Sequence, residues 1–238
     1  MNKSLKKFNI NAVMLDLDGT LIHTAPEIAR ATNHMLKRMS MPVLEPAQVQ
    51  AYIGEGAVML IKRCLTGKLD SEPDAALMAK AQPLFFEAYA EIVAESLPYD
   101  GIAEALQAIK NTGVKLACIT NKPAAFTEPL LEKSGLAPYF DLIVSGDTLQ
   151  KKKPEPDQIF HICEKFGISP QQAVLIGDSK TDIEAARNAG CYVFTVPYGY
   201  NQGYSIEIDA VDALINHISE TVQFISTDLA QTKFCKNE

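Results

Sequence analysis

The sequence lacks any C-x-x-C pair. Its five cysteines, Cys64, Cys118, Cys163, Cys191 and Cys235, are odd in number and widely spaced. That spacing speaks against a zinc site or a disulfide framework and fits reduced thiols in a cytoplasmic protein. Positive charge is also in deficit. Lys and Arg number 22 against 29 Asp and Glu, giving a formal net charge of −7. Such a balance argues against a nucleic-acid or anionic-membrane binder acting through bulk charge, while leaving open a local positive pocket for a small anion. No uncharged apolar run approaches the ~18 residues that span a bilayer. The basic segment Met1–Phe8 carries Lys3, Lys6 and Lys7, and the short apolar stretch behind it soon meets Asp16. It lacks the long apolar region and small-residue cleavage site of a secretory signal. Internal repeats and low-complexity tracts are missing too. These absences lead us to expect a soluble, cytoplasmic monomer or homodimer with no nucleic-acid or membrane partner.

What is present is an ordinary globular composition, 47% hydrophobic and 21% charged over 238 residues. That is enough chain for one large domain or two modest ones, each with a core. The run 11–17 (NAVMLDL) reads as a buried strand, as do 114–119, 140–144, 173–176 and 192–196. Helical spacings lie between them: Ile102, Leu106 and Ile109 before Gly113; Ile159, Cys163 and Phe166 before Gly167; Ile183, Ala186 and Ala189 before Gly190. Strands alternating with helices imply parallel βαβ units and an α/β fold.

Residues 25–96 break that alternation. Ile28, Met35, Leu36 and Met39, then Val58, Ile61 and Leu65, then Leu77, Met78, Phe85, Tyr89 and Ile92 follow helical spacing, and no strand is evident. Pro83 is expected to start, kink or break a helix. The expected organisation is an α/β core from 1–24 and 97–224, a helical insertion at 25–96, and a polar tail, disordered, at 225–238. The connectors Leu21–Pro26 and Leu97–Gly101 would form a hinge.

Four short segments carry chemistry, and all fall at the carboxyl ends of expected strands, where open α/β sheets bind ligands. Asp16-Leu17-Asp18-Gly19-Thr20 offers two carboxylates that can converge, one as nucleophile and one for proton transfer. Thr120-Asn121-Lys122-Pro123 offers a hydroxyl and backbone N–H groups for phosphate oxygens, and equally suits a turn and helix cap. In Lys151-Lys152-Lys153-Pro154, a solvated surface run is the simple account, but Pro154 suits the first turn of the next helix and could fix where Lys153 points. In Gly177-Asp178-Ser179-Lys180-Thr181-Asp182, Asp178 together with Asp16 would give hard oxygen ligands for Mg²⁺. Asp182 also fits an acidic capping box with Ser179. Jointly the four suit phosphoryl transfer, where positioning and charge neutralisation dominate.

In order and spacing these segments resemble the haloacid dehalogenase-like superfamily. Within it, Pro98-Tyr99-Asp100-Gly101, Ser145-Gly146-Asp147-Thr148, Tyr198-Gly199-Tyr200-Asn201 and Ile53-Gly54-Glu55-Gly56 look like the bacterial phosphoglycolate phosphatases. His23 departs from that pattern, since such phosphatases usually carry Asp there. The resemblance implies a doubly wound, Rossmann-like core with a helical cap inserted after the first strand. It also implies an Mg²⁺-dependent phosphatase of a small phosphorylated metabolite such as 2-phosphoglycolate. A β-phosphoglucomutase-like mutase, a pyrophosphatase and a sugar-phosphate phosphatase are the alternatives. Asp18 argues against a dehalogenase, which lacks that second acid.

By the same resemblance, Asp16 is the nucleophile and Asp18 the acid and base. Asp16, the Asp18 carbonyl and Asp178 hold Mg²⁺; Thr120, the Asn121 N–H and Lys153 hold phosphoryl oxygens; Asp182 orients Lys153 or the metal ligands. Substrate choice is expected to fall on the loop Gly54-Glu55-Gly56 and on the helix starting near Ala57. There Arg63 is expected to bind the substrate carboxylate, with a solvated surface position as the alternative.

Overall fold

The computed structural model describes residues 7–226. The basic start, most of the polar tail and Cys235 lie outside the described residues. Six strands form one parallel sheet: β2 (Ala12–Leu15), β5 (Lys115–Ile119), β6 (Leu142–Val144), β7 (Ala173–Gly177), β8 (Tyr192–Thr195) and β9 (Ala213–Leu214). Their spatial order is β6-β5-β2-β7-β8-β9. The first of these in sequence is therefore central, with Leu15 opposite Cys118 on one side and Ile176 on the other.

Both faces of this sheet are covered, which explains why its strands read as continuous apolar runs. Val13, Leu15, Leu116, Cys118, Val174, Ile176 and Phe194 pack to one face. Ala12, Met14, Ala117, Ile119, Ala173, Leu175 and Val193 pack to the other. The second face is closed by α7 (Asp157–Phe166) and α8 (Lys180–Ala189) through Ile159, Ile162, Ala185 and Ala186. The first is closed by α5 (Ile102–Lys110) and α6 (Ala124–Lys133), with Ile102, Leu106, Phe126 and Leu130 buried.

Between β2 and β5 the chain forms a helical insertion of α1 (Ala25–Arg38), α2 (Pro46–Gln50), α3 (Ala57–Thr66) and α4 (Ala75–Ile92). The two connectors pair with each other as a short antiparallel ladder, β3 (Ile22–His23) against β4 (Leu97–Pro98). The insertion is thus joined to the core by two hydrogen-bonded strands side by side.

Several expectations are corrected. Helix α4 runs through Pro83, which therefore neither starts nor breaks it. Pro83 and Ala79 are both exposed, so water can satisfy the Ala79 carbonyl that proline leaves without its helical partner. Helix α6 follows the expected cap at Pro123, although Thr127 and Pro129 interrupt its apolar spacing and leave no helical period to read. The tail begins as structure, since β10 (Ile225–Ser226) pairs in parallel with β1 (Phe8–Asn9). Pro154 lies ahead of α7, which starts only at Asp157. Among the described residues, no helix is long and apolar enough to cross a membrane.

Candidate active site

Strand β2 ends at Leu15, and the chain turns at once. Asp16 N–H still donates to the Ile176 carbonyl at 2.9 Å, while Gly19 N–H donates to the Ile22 carbonyl at 3.0 Å. Gly19 adopts φ +82°, and a Cβ there would stand 2.5 Å from Asp178 Oδ2. Glycine is therefore required by both conformation and close approach. The turn delivers Asp16 and Asp18 above the centre of the sheet. The loop after β5 brings Thr120, Asn121 and Lys122, the loop before α7 brings Lys153, and the end of β7 brings Asp178.

Lys153 is the buried hub. Its ammonium lies 2.8 Å from Asp16 Oδ1 and 2.6 Å from Asp182 Oδ1, and donates to the Ile119 carbonyl at 3.0 Å. The lysine triplet is thus not one solvated run: Lys151 is exposed while Lys153 is buried. What fixes Lys153 is side-chain bonding to its backbone. Asn121 Nδ2 donates to its carbonyl at 2.8 Å, and its N–H donates to Gln158 Oε1 at 3.2 Å. Gln158 also donates to the Thr120 and Ser145 carbonyls, at 3.1 and 3.0 Å. This fully buried glutamine ties three site loops together, and sequence reasoning passed over it. The one available signal was a polar side chain beside Ile159 on the inward face of α7.

Asp178 accepts from Thr20 Oγ1 at 2.9 Å and from Tyr200 N–H at 2.6 Å. Asp182 accepts from Ser179 Oγ at 2.6 Å and closes a capping box, so it caps α8 and binds Lys153 at once. Carboxylate oxygens of Asp16, Asp178 and Asp182 lie within 4.8 Å of one another. Burial, and then the neighbouring Asp182 carboxylate, push Asp178 up to about 7. Burial likewise holds Asp16 well above the usual carboxylate range, although Lys153 opposes it. One lysine among three buried acids leaves a surplus of negative charge.

That surplus is what a divalent cation relieves, and the donors are hard oxygens without His or Cys, which fits Mg²⁺. Both Asp182 oxygens already accept bonds from Lys153 and Ser179. Asp178 also accepts on both oxygens, but from the neutral Thr20 hydroxyl and Tyr200 N–H and not from a cation, so Asp16 and Asp178 are better placed than Asp182 as ligands.

Asp18 is partly buried. Its Oδ1 accepts from Thr24 Oγ1 at 2.7 Å and pairs with Lys122 Nζ at 2.8 Å. Lys122 is buried and reaches Tyr89 Oη of α4 at 2.8 Å. Burial works against the Lys122 charge, but Asp18 and Tyr89 outweigh it and raise its pKa above the ordinary value. A cavity of about 40 Å³ lies here. The core lines it with Asp16, Asp18, Thr120, Asn121 and Lys122, and the insertion with Ile28, Ile53, Gly54, Gly56, Ala57, Leu60, Phe85 and Tyr89.

Gly54 and Gly56 therefore stand where expected, and the Gly54 carbonyl accepts from Asn121 Nδ2 at 3.1 Å. Arg63 does not. It is buried inside the insertion, pairs with Glu55, and donates to the Tyr52 and Leu69 carbonyls, both at 3.1 Å. It neither lines the cavity nor meets solvent, so both expectations for it are corrected. His23 is exposed on β3, with Nδ1 3.2 Å from Tyr200 Oη and 3.3 Å from Tyr99 Oη.

Comparison with known proteins agrees with this geometry. Residues 13–196 match the model of the family described as haloacid dehalogenase-like hydrolase. The chain is 47% identical over 218 residues to a phosphoglycolate phosphatase of Thiobacillus denitrificans, covering 91% of this chain and 96% of that one. It is 48% identical, with the same coverage, to a phosphoglycolate phosphatase of Nitrosospira multiformis. Among solved structures, a predicted phosphoglycolate phosphatase from Haemophilus somnus superposes with a TM-score of 0.83 at 31% identity, covering 92% of this chain and 98% of that one. With the acidic cluster, its lysine hub and the central strand that carries them all in place, this chain belongs to the haloacid dehalogenase-like hydrolase family.

Proposed function

We propose that the protein is an Mg²⁺-dependent phosphatase of small phosphate monoesters, with 2-phosphoglycolate as substrate. The observation that carries the reading is the buried set at the end of β2. Asp16 is paired to Lys153 at 2.8 Å and sits within 4.8 Å of Asp178, while Asp18 lies two residues on. The names of the relatives supply the substrate.

In this mechanism Asp16 attacks phosphorus while the bond from phosphorus to the leaving alkoxide breaks. Asp18 gives that alkoxide a proton. Both Asp18 bonds fall on Oδ1, so Oδ2 is the oxygen left for the transfer. The aspartyl-phosphate on Asp16 is then attacked by water, whose proton returns to Asp18, and phosphate leaves. Splitting one displacement into two lowers each barrier. Lys153, the Thr120 hydroxyl and the Asn121 N–H hold the phosphoryl oxygens. Asp16, Asp178 and the Asp18 carbonyl would hold Mg²⁺, which when bound offsets the repulsion between a carboxylate and a phosphate dianion.

The insertion acts as a cap in this reading. Core and insertion line the cavity together, so a swing of the helices on the β3–β4 ladder would open it to substrate, and their return would exclude bulk water from the reacting centre.

The test is phosphate release from a panel of phosphate esters with and without Mg²⁺, including isomerisation of β-glucose 1-phosphate. Mg²⁺-dependent hydrolysis of 2-phosphoglycolate is expected, and Asp16→Asn is expected to be inactive while folding normally. Full activity after exhaustive chelation, or turnover by a verified Asp16→Asn sample, refutes the mechanism.

A further inference from the structure

We propose that Lys122 reads the carboxylate of the substrate and is the specificity-determining residue of this site. The inference rests on the reading of the protein as a phosphoglycolate phosphatase and assigns the contact that Arg63 does not make. Among the described residues, Lys122 is the only cationic side chain that lines the cavity. Lys153 does not line this cavity, and its ammonium is engaged by Asp16, Asp182 and the Ile119 carbonyl and, in the proposed reaction, by the phosphoryl group, so it is not the partner of the substrate's second anionic group. Lys122 has two partners among the described residues, Asp18 and Tyr89, so one ammonium proton remains.

Position favours the same assignment. Asp18 protonates the oxygen that leaves phosphorus, and in phosphoglycolate one methylene separates that oxygen from the carboxylate. A cation 2.8 Å from Asp18 Oδ1 is therefore beside the acid end of the leaving group. The N-terminus of α3 faces the same cavity through Gly56 and Ala57, and no side chain caps it. Its field adds to that of the lysine. Tyr89 belongs to the insertion, so Lys122 takes up its full set of partners only when the helices close over the core.

The test compares 2-phosphoglycolate with 2-hydroxyethyl phosphate, which keeps the two-carbon chain and replaces the carboxylate with a neutral hydroxymethyl group. In Lys122→Met, the ratio of kcat/KM for the two esters is expected to collapse by ~10-fold or more, the size of a lost charge-assisted contact, with the change in KM. Lys122→Arg, which keeps the charge, is expected to retain most of the ratio. Should the Met variant fail to fold, Lys122→Gln can still hydrogen-bond Asp18 without the charge, and the same collapse is expected. Equal losses on both esters overturn the proposal and make Lys122 a positioning residue for Asp18. A wild-type enzyme that releases phosphate without favouring the carboxylated ester overturns the substrate reading instead, and this inference with it.

Discussion

Replacing Lys153 with methionine keeps most of the side-chain volume and removes the charge from the centre of the site. In the native protein that ammonium lies 2.8 Å from Asp16 and 2.6 Å from Asp182, with Lys153 itself only 2% exposed. Without it, two buried carboxylates face each other with Asp178 beside them. Removing one partner of a buried ion pair costs roughly 3–5 kcal/mol, because the stranded charge loses both water and counter-ion. The Ile119 carbonyl loses a donor as well.

The loss carries a sign in pH. Burial already holds Asp16 above the usual range, and Lys153 is what opposes that rise. In Lys153→Met the folded carboxyls bind protons more tightly than the unfolded ones, whose pKa is ~3.9. Stability therefore falls as pH rises through the folded value, and the deficit shrinks on acidification. Urea unfolding followed by circular dichroism, in EDTA at pH 8 and pH 5, measures it. A deficit of about 3 kcal/mol or more is expected at pH 8, with a clearly smaller one at pH 5. The double variant Lys153→Met/Asp182→Asn is expected to recover part of the loss, since one stranded charge is gone. A deficit below ~1 kcal/mol at pH 8, or an equal deficit at both pH values, refutes the electrostatic account.

Two further predictions follow from the charges of the site and its insertion. The metal-free wild-type protein is expected to lose stability as pH rises from ~4 to about 7, because burial pushes Asp178 up to about 7 and its proton is released on unfolding. A flat melting temperature across that window in EDTA contradicts this. Arg63→Ala is expected to destabilise the protein and to lower kcat/KM for phosphoglycolate and p-nitrophenyl phosphate alike. The reason is that its guanidinium binds Glu55, Tyr52 and Leu69 within the insertion. A loss confined to the carboxylated substrate restores Arg63 as the reader of that group.

The parallel sheet was legible in the sequence because burial on both faces makes uninterrupted apolar runs, and because each run ends at a Gly, Asp, Asn or Thr cluster. Where that signal fails, the cause is local. Strand β9 has two residues, too few for any period to show. Pro129 interrupts the apolar spacing of α6, although the helix closes around it. Arg63 was misplaced for a different reason. It stands three residues after Leu60 and one before Cys64, both buried, so helical spacing already puts it on the inward side of α3. Glu55, read as negative charge that weakens an anion site, is the partner that allows an arginine to be buried there. A charged residue on an apolar helix face with an opposite charge just ahead of that helix, here Glu55 two residues before Ala57, is a pair legible from sequence.

Lys122 was legible as a residue and not as a role, because its direction is set by long-range closure. Its N–H donates to Thr120 Oγ1 at 3.1 Å and its carbonyl accepts from Gly146 N–H at 2.8 Å. Gly146 can come that close because a Cβ there would stand 2.1 Å from the Asn121 carbonyl oxygen. The two site lysines then divide by what holds them. Lys153 is bound wholly by the core, through Asp16, Asp182 and Ile119. Lys122 is shared between Asp18 of the core and Tyr89 of the insertion. The groups proposed to act on phosphorus are therefore held without the helices, while the group proposed to meet the rest of the substrate is not. If those proposals hold, substitutions in α3 and α4 are expected to change which ester is accepted without disturbing the core carboxylates.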